Sequence, residues 1–294
     1  MRRIANNDIK YIIVSTVRNE EEFIGRTVNA VLSQTIQPQE WVIVNDGSTD
    51  RTSKIIMKQT YGCSWARVIT RGDRGYSRRG DGVVGAFYAG YASLSASDFE
   101  YIVKLDGDVM FDPDFFERLL SKFEVMPNLG IASGYGYEMR DNRLVKMRVS
   151  RDSAFGATRV YRRQCFEEIG GLVRAWGWDG IDEVKAEMAG WKVISFEDVS
   201  FLHLKPHVIR NKVEHGRSAF VKGSHPIYVL ARGIWRMQDR PYAIAGMALL
   251  WGFFSSYFRG IGRIEDTEFR KYLRRKQLGR VFQILRLKGA SEKK

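Results

Sequence analysis

Residues 101–108 read YIVKLDGD, a short apolar run that ends in two aspartates separated by one glycine. The run predicts a buried strand, Tyr101–Leu105. Two carboxylates at a strand end offer the oxygen ligands that Mg²⁺ or Mn²⁺ prefers, and these ions also bridge to substrate phosphates. We therefore predict a metal site at Asp106 and Asp108, with Gly107 allowing a turn and a close approach to a ligand. A solvated turn is the alternative.

Strands and helices alternate on both sides of this segment. The predicted strands are Ile9–Val17, Trp41–Val44, Ala66–Thr70 and Tyr101–Leu105. The predicted helices are Glu21–Gln34, Ser53–Gln59, Gly82–Leu94 and one that Asp112 caps and that ends near Val125. This alternation predicts an α/β fold with a mostly parallel central sheet and flanking helices. The stretch from Gly130 to Trp191 is less regular and suits a substrate-shaping region.

A second acidic loop, NDGSTD at residues 45–50, follows the strand Trp41–Val44. Asp46 precedes a glycine, so we expect its side chain to face the crevice and to accept hydrogen bonds from a nucleobase or ribose. Asp50 is expected to cap the next helix. Both acidic loops fall beyond the carboxyl ends of strands, where such sheets bind ligands.

Four segments resemble, in order and approximate spacing, the family-2 glycosyltransferases with the GT-A fold. They are VSTVRNEEEFIGRTVNAVLSQT from residue 14, VNDGSTD from residue 44, KLDGDV from residue 104 and WDGIDEVKAEMAGWKV from residue 178. The resemblance covers roughly residues 9–207, and the order of the motifs is more specific than any one of them. It implies an enzyme with a nucleoside-diphosphate sugar donor, a Mn²⁺ or Mg²⁺ cofactor and inversion at the anomeric carbon.

The resemblance also implies roles for single residues. The implied donor-binding residues are Val17, Arg18, Glu20, Asp46, Arg74, Arg78 and Asp106. Arginine suits a diphosphate because its planar guanidinium meets phosphate oxygens in pairs, although Arg74 and Arg78 also fit a solvated basic loop. The implied metal ligands are Asp108, Asp106 and His203, with His207 as the fallback for the histidine.

Inverting transfer needs a carboxylate that takes the proton of an acceptor hydroxyl. The family supplies it from a Glu-Asp pair that opens a helix. Alignment on Ala189-Gly190-Trp191 places this acid at Asp179, with Trp178 where glutamate is common. Asp182 is the nearest rival and Glu183 the third choice. A helix start favours the ionised form that a base requires, and a purely capping role is the alternative for Asp179.

The basic charge is concentrated near the end of the sequence. The net charge is +13, and residues 259–294 hold twelve Lys or Arg and four Asp or Glu. Such a tail predicts an anionic partner. Ala243–Phe258 is uncharged but, at about 1.5 Å per residue, too short for the roughly 30 Å hydrocarbon core. A re-entrant or interfacial helix is the favoured interpretation, and a buried core helix is the alternative.

These features predict a GT-A catalytic domain at residues 1–222, with a nucleotide-binding half at 1–110 and an acceptor-side half at 111–222. Hydrophobic and basic membrane-associating helices are predicted at 223–294. Two widely spaced cysteines and no secretory signal predict a cytoplasmic protein, peripheral or monotopic at the cytoplasmic face of the cell membrane.

The predicted acceptor is a hydroxyl of a lipid-linked or polysaccharide molecule. A polyprenyl- or dolichyl-phosphate sugar synthase, which has a phosphate acceptor, is the enzymatic alternative. A basic membrane- or nucleic-acid-binding protein is the non-enzymatic one. No nucleic-acid partner is expected, because the sequence carries no RNA-binding signature.

Overall fold

A computed structural model of the chain describes residues 9–73, 81–147, 152–205, 209–238 and 242–291. The residues pack as two units. Unit 1 comprises Met1–Arg174 and Trp178–Pro206, and unit 2 comprises Ala175–Gly177 and His207–Lys294. The functional boundary predicted between residues 222 and 223 falls inside unit 2 and stays a prediction.

Unit 1 is built around a mixed β-sheet with helices on its faces. Its described strands are β1 Tyr11–Val17, β2 Glu40–Asp46, β3 Ala66–Arg71, β4 Tyr101–Asp106, β5 Val109–Phe111, β6 Leu129–Arg140, β7 Arg143–Lys146, β8 Thr158–Arg162 and β9 Lys192–His203. Its described helices are α1 Ile24–Leu32, α2 Thr52–Gln59, α3 Asp81–Ala92, α4 Phe115–Val125, α5 Arg163–Glu168 and α6 Trp178–Met188. The sheet order is β3-β2-β1-β4-β8-β6-β9-β5, with β7 paired to β6.

The strands predicted from the sequence form the parallel part of this sheet. β3, β2, β1 and β4 are parallel neighbours, and β8 then joins β4 in the antiparallel direction. Alternate residues of β1 enter two separate cores: Tyr11 and Ile13 pack on one face, and Ile12 and Val14 on the other. A sheet buried on both faces explains why its strands are continuous apolar runs. The predicted α/β fold with flanking helices is confirmed.

The start of α4 differs from the prediction that Asp112 caps it. The helix begins at Phe115, and Asp112 contributes its carbonyl oxygen, which accepts from the N–H of Phe115 at 3.1 Å. The capping side chain is instead Gln34, whose Oε1 accepts from the N–H of Phe116 at 3.0 Å. A distant amide therefore satisfies a helix donor that the local sequence assigned to an aspartate.

The glycine-rich stretch at residues 130–137, predicted to be irregular, forms most of β6. A Cβ added to Gly134 would lie 2.6 Å from Cε2 of Phe115, and one added to Gly136 would lie 2.8 Å from Sδ of Met147. These glycines permit close packing against a central strand, so their presence does not mark turns.

Unit 2 is helical among its described residues. Its helices are α7 Ile209–Val221, α8 Pro226–Arg236, α9 Ile244–Phe258 and α10 Thr267–Ser291. A small core of Phe220, Val229, Leu249 and Phe253 joins α7, α8 and α9. α10 is attached by Gln277, whose Oε1 accepts from the N–H of His225 at 2.8 Å. Among the described helices of the chain, none has the length and apolar character needed to cross a membrane.

Candidate active site

The carboxyl ends of β1, β2 and β4 meet at one edge of the sheet. Thr16 at the end of β1 is opposite Asp106 in β4, and Val17 is opposite Asn45 in β2. Asp46 is the last residue of β2, and Asp106 is the last residue of β4. They therefore lie on the two strands that flank β1. The structure brings these two predicted acids to the edge where such sheets bind ligands.

Two arginines surround Asp46. Nη1 of Arg71 is 2.9 Å from Oδ1 of the largely buried Asp46 carboxylate. Nη1 of Arg18 donates to the backbone oxygen of Asp46 at 2.7 Å, and Nη2 of Arg18 pairs with Asp73 at 2.7 Å. A Cβ on Gly47, which has a φ of 71°, would fall 2.7 Å from Cα of Asp73. This glycine is therefore required where the two loops touch.

Arg71 was not predicted, although it lies in register with Asp46 across β2 and β3. A strand alignment would have found it, because the residues that end two parallel neighbours are side by side. Arg74 and Arg78, the arginines implied to approach the diphosphate, lie outside the described residues.

Val17 and Gly107 fit each other as packing partners. Val17 is buried in the core beneath the sheet edge. A Cβ on Gly107 would lie 2.6 Å from Cγ1 of Val17. The backbone φ of Gly107 is not positive. The chain bends at residues 107–108, as predicted, and residue 107 must also be small because Val17 occupies the space beside it. Any contact of Val17 with a nucleotide would be made through its backbone.

Three acids form a cluster of like charge next to this packing contact. Burial raises the pKa of Glu20, and the carboxylates of Asp108 and Asp106 raise it further, against the opposing effect of Lys205. Oε1 of Glu20 accepts from Nζ of Lys205 at 2.7 Å, whereas Oε2 is buried without a hydrogen-bond partner among the described residues. An orphaned carboxylate oxygen beside two other acids is a feature that a bound cation would satisfy.

Asp108, one of these three acids, also lies near a histidine. Burial raises the pKa of Asp108, His203 opposes that effect, and Asp106 adds to it. Nε2 of His203 is 3.8 Å from Oδ2 of Asp108, and its Nδ1 is 2.8 Å from the carbonyl oxygen of Lys205. Pairing of β5 with β9 places Val109 opposite His203 and so creates this contact. The fallback ligand His207 lies outside the described residues.

The candidate metal-ligand side chains fit a divalent cation that the substrate also helps to bind. Within the described part of the chain, no three His, Cys, Asp or Glu side chains converge as a metal-binding group. Asp106 and Asp108 are separated by one residue, and Asp108 contacts His203. Mg²⁺ and related ions are commonly held by one or two carboxylates, with phosphate oxygens and water completing the coordination. The residues present match that pattern and not a closed, all-protein site.

A buried lysine that the sequence analysis did not predict connects Asp106 to Gly156. Lys104 is only 2% exposed, is ion-paired with Asp106, and donates to the carbonyl oxygen of Gly156 at 3.0 Å. Its ammonium lies 5.1 Å from the centre of the Trp178 ring. The signal was present in YIVKLD, because a lysine inside an apolar strand requires a buried partner.

Asp179 lies in the first turn of α6, close to the same glycine. α6 begins at Trp178, so Asp179 is a helical residue, and its alternative interpretation as an N-cap is wrong. Its side chain is exposed, and a Cβ built on Gly156 would lie 3.8 Å from its Cβ. Gly156 thus lies near Asp179 and accepts from Lys104, which pairs with Asp106.

The two rival acids have different surroundings. Asp182 is fully buried, 2.7 Å from Nη1 of Arg159, and accepts a hydrogen bond from Tyr161. Glu183 pairs with Nη2 of Arg159 at 2.7 Å and accepts from the N–H of Ala154 at 2.8 Å. Burial raises the pKa of Glu183 to about 7, opposed by Arg159. Both carboxylates are engaged with the same arginine.

The part of the chain that carries both acidic loops matches a known protein family. The model of the family described as glycosyl transferase family 2 matches residues 12–173, which include β1, β2, β4 and both acidic loops. The chain belongs to glycosyl transferase family 2. It is therefore an enzyme of glycosyl transfer.

Named relatives of this family-2 enzyme agree with the assignment. It is 27% identical over 171 residues to a protein named uncharacterized glycosyltransferase alr2836 from Nostoc sp., covering 56% of this chain and 50% of that one. It is 30% identical over 116 residues to the poly-β-1,6-N-acetyl-D-glucosamine synthase of Staphylococcus epidermidis, covering 40% and 26%. The chain thus spans half or less of the length of these relatives.

A solved structure shares the fold. The mannosyltransferase PcManGT from Pyrobaculum calidifontis, solved in complex with GDP-Man and Mn²⁺, aligns with a TM-score of 0.55 and 14% identity. The alignment covers 90% of this chain and 82% of that one. The GT-A fold is confirmed.

Proposed function

We propose that the chain transfers a sugar, with inversion, from a nucleoside diphosphate to a hydroxyl of a lipid-linked or polysaccharide acceptor at the cytoplasmic face of a membrane. Asp179 is the base. Asp108 and Asp106, with His203 beside them, hold Mn²⁺ or Mg²⁺, and a histidine ligand favours Mn²⁺. Arg18 and Asp46 bind the nucleoside end of the donor.

The position of Asp179 carries this proposal. It is the exposed acid of the WDGIDE segment, and its carbonyl oxygen accepts from Nη1 of Arg159 at 2.6 Å. The carboxylates of Asp182 and Glu183 are instead withdrawn from solvent in ion pairs with Arg159. A base must exchange its proton with substrate, so an accessible carboxylate suits the role better than a buried ion pair. Gly156 lies near Asp179 and accepts from Lys104, and Lys104 pairs with Asp106, where the donor diphosphate is proposed to bind.

The reaction then proceeds as a single displacement. Asp179 takes the proton as the acceptor oxygen forms a bond to the anomeric carbon. The bond between that carbon and the diphosphate oxygen breaks on the opposite face, and the nucleoside diphosphate leaves. Asp179 lies in the first turn of α6, where the helix dipole favours a negative charge. A bound divalent cation would neutralise charge on the departing diphosphate.

The protein groups around the leaving group are held before the donor arrives. Lys104 fixes the Asp106 carboxylate, and Lys205 fixes one oxygen of Glu20 and leaves the other unpaired. Gly156, whose carbonyl oxygen accepts from Lys104, lies near Asp179. Such pre-ordering lowers the reorganisation needed in the transition state.

The donor is tested by thermal stabilisation. A ligand that binds only the folded chain raises the unfolding temperature, and the rise grows with affinity. UDP-, GDP- and dTDP-sugars, including GDP-mannose because of the structural neighbour, are screened with Mn²⁺, with Mg²⁺ and with EDTA. We expect one nucleotide class to stabilise the chain only with a metal. Stabilisation by no nucleotide sugar under any condition would refute the proposal.

The acceptor is tested by competition. A phosphate acceptor is already anionic and needs no strong base, whereas a hydroxyl needs Asp179. Polyprenyl phosphate and a lipid-linked oligosaccharide are offered together with labelled donor. Label on the oligosaccharide supports the proposal, and label on the polyprenyl phosphate alone replaces it with the sugar-synthase alternative.

A further inference from the structure

Helix α9 is apolar around most of its circumference, and only one side of it is covered. Leu249 and Phe253 are buried against α7 and α8. The opposite side exposes side chains spaced three or four residues apart: Ile244, Met247, Trp251, Phe254 and Phe258. Trp251 is 64% exposed and Phe258 is 83% exposed. A helix that is hydrophobic all round requires an apolar environment on both sides.

Helix α8 carries a second stripe of the same kind. Its exposed apolar side chains are Ile227, Leu230, Ile234 and Trp235. α8 lies against α9 at Gly233, where an added Cβ would be 2.6 Å from Cδ2 of Leu250. The stripes are therefore on adjacent, closely packed helices, and we call them together the α8–α9 face.

The α8–α9 face is unusual for this chain. Elsewhere the exposed large hydrophobic residues of the described part are scattered: Met57, Tyr61, Met110, Val125, Met139, Leu144, Met188, Tyr242 and Phe282. Single exposed apolar side chains are ordinary, but a group of ten on two adjacent helices, Tyr257 included, marks an interaction surface.

Basic residues border this face at the end of α9. Arg259 and Arg263 are exposed, and the guanidinium of Arg263 stacks 4.3 Å from the centre of the Phe220 ring. Phe220, Tyr257, Arg263 and Arg270 line an open cleft of about 510 Å³, to which Glu265 also contributes. Tyr257 is itself 63% exposed, so the cleft opens beside the apolar stripe of α9. Aromatic rings next to arginines match a phospholipid headgroup above its acyl chains.

We propose that the α8–α9 face docks on an anionic phospholipid bilayer, with both helices in the plane of the interface and Arg263 and Arg270 contacting lipid phosphates. At about 1.5 Å per residue, the 15 residues of α9 are too short to span the bilayer. Tryptophan, tyrosine and phenylalanine suit the interface. The net charge of +13 favours an anionic lipid surface and disfavours a second copy of the same basic chain.

The inference concerns unit 2 and rests on the membrane location in the proposed function, but it does not depend on the sugar-transfer reaction. The test is flotation of the full chain with vesicles of phosphatidylcholine, or of phosphatidylcholine mixed with phosphatidylglycerol. The variant is Trp251→Ser/Phe258→Ser. The matched control is Met57→Ser/Tyr61→Ser, which removes comparably exposed apolar side chains, 54% and 92%, from unit 1. Circular dichroism and gel filtration of each variant report on folding and on oligomeric state.

We expect the parent chain and the control to float with the anionic vesicles and to release in high salt. The Trp251→Ser/Phe258→Ser variant should bind the anionic vesicles at least about tenfold more weakly than the parent chain, because it loses two interfacial aromatic side chains. Equal binding by face variant and control, or no binding to anionic vesicles by the folded parent, would overturn the inference. So would a parent dimer that the face variant converts to monomer, since a second copy would then cover the face. A chain that binds vesicles but transfers no sugar would refute only the proposed reaction.

Discussion

Nζ of Lys104 donates a 3.0 Å hydrogen bond to the carbonyl oxygen of Gly156, although 52 residues separate them in the chain. The same ammonium is paired with Asp106 and faces the ring of Trp178. One buried charge thus links the strand that carries the acidic motif to the glycine beside Asp179. Lys104 therefore contacts both the proposed leaving-group side, at Asp106, and the proposed base side, at Gly156. We expect a substitution on either side to affect the other.

The first prediction concerns the base. Asp179→Asn keeps size and hydrogen-bonding atoms but removes the proton acceptor. We expect turnover to fall by about 10²–10⁴-fold, because general-base catalysis contributes that much. Metal-dependent donor binding should be retained, since Asp179 does not contact the donor diphosphate in the proposed arrangement. Steady-state transfer rates and donor-induced thermal stabilisation, measured on the same preparation, separate the two effects.

Two variants make this test specific. Asp98→Asn removes an exposed acid that pairs with Lys10 and should leave turnover unchanged. Asp182→Asn leaves Arg159 with one anionic partner fewer and should lower the unfolding temperature. Wild-type turnover in Asp179→Asn, with loss of turnover in a folded Asp182→Asn protein, would transfer the role of base to Asp182.

The parallel half of the sheet and the acidic edge could be predicted from sequence because their signals are local. The apolar runs of β1, β2 and β4 end in polar loops, and parallel order alone places Asp46 and Asp106 at the same edge of the sheet, on the two strands that flank β1. The partners of these acids could not be predicted in the same way. Arg71 depends on the register of β2 with β3, and Lys104 depends on contact with the distant Gly156.

Other features depend on tertiary packing that composition does not reveal. The glycines of β6 suggested irregular chain, but they provide room for side chains such as Phe115. The uncharged run that forms α9 was compatible with a core helix or an interfacial one. In the structure Leu249 is buried and Trp251 on the other side is exposed, so each interpretation accounts for one side of the helix.

The second prediction concerns Lys104. Lys104→Met removes the positive charge next to Asp106 and the hydrogen bond to Gly156. We expect kcat/KM for the donor to fall by about 10–100-fold, as is typical when a group that orients a metal-binding acid is lost. Mn²⁺ affinity, measured by calorimetry with a nucleoside diphosphate present, should change as well. Lys104→Arg, which keeps the charge, should restore part of both.

Lys122→Met is the matched control, because Lys122 also pairs with an aspartate, at 2.5 Å from Asp198. It should leave donor kinetics and Mn²⁺ affinity unchanged. If Lys104→Met only lowers the unfolding temperature, with catalysis and metal affinity intact, then Lys104 has a purely structural role.

The third prediction is a pH dependence of stability. Burial raises the pKa of Glu183 from 4.5 to about 7 in the folded chain, while Arg159 opposes the rise and Asp182 and Asp179 add to it. The folded state therefore binds a proton that the unfolded state releases between about pH 4.5 and 7. The stabilisation from this group is complete below that window and is lost as the pH rises through it. It amounts to at most about 3 kcal/mol.

Glu183→Gln should remove most of this slope, because glutamine cannot ionise. Urea unfolding from pH 5 to about pH 8 gives the free energy of unfolding at each point. Asp182, whose pKa burial also raises, should leave a residual slope of the same sign. Glu22→Gln, an exposed substitution, should reproduce the wild-type curve. An unchanged slope in Glu183→Gln would show that Glu183 stays ionised in the folded chain.

The fourth prediction concerns the glycine between the two metal-site aspartates. A Cβ on Gly107 would lie 2.6 Å from Cγ1 of Val17, so Gly107→Ala must displace either the core valine or the acidic loop. We expect a loss of about 1–3 kcal/mol in the free energy of unfolding from overpacking. We also expect weaker Mn²⁺-dependent stabilisation by the donor, because Asp106 and Asp108 move with the loop.

Val17→Ala should compensate, since it removes the methyl group that the new Cβ would strike. In a double-mutant cycle, Gly107→Ala should cost less in the Val17→Ala background than in the wild type, and donor binding should recover in the double variant. Gly85→Ala is the control, because nothing lies within 4 Å of a Cβ at that position in α3 and alanine favours helix. Additive effects of Gly107→Ala and Val17→Ala would show that the size of residue 107 is set by something other than its contact with Val17.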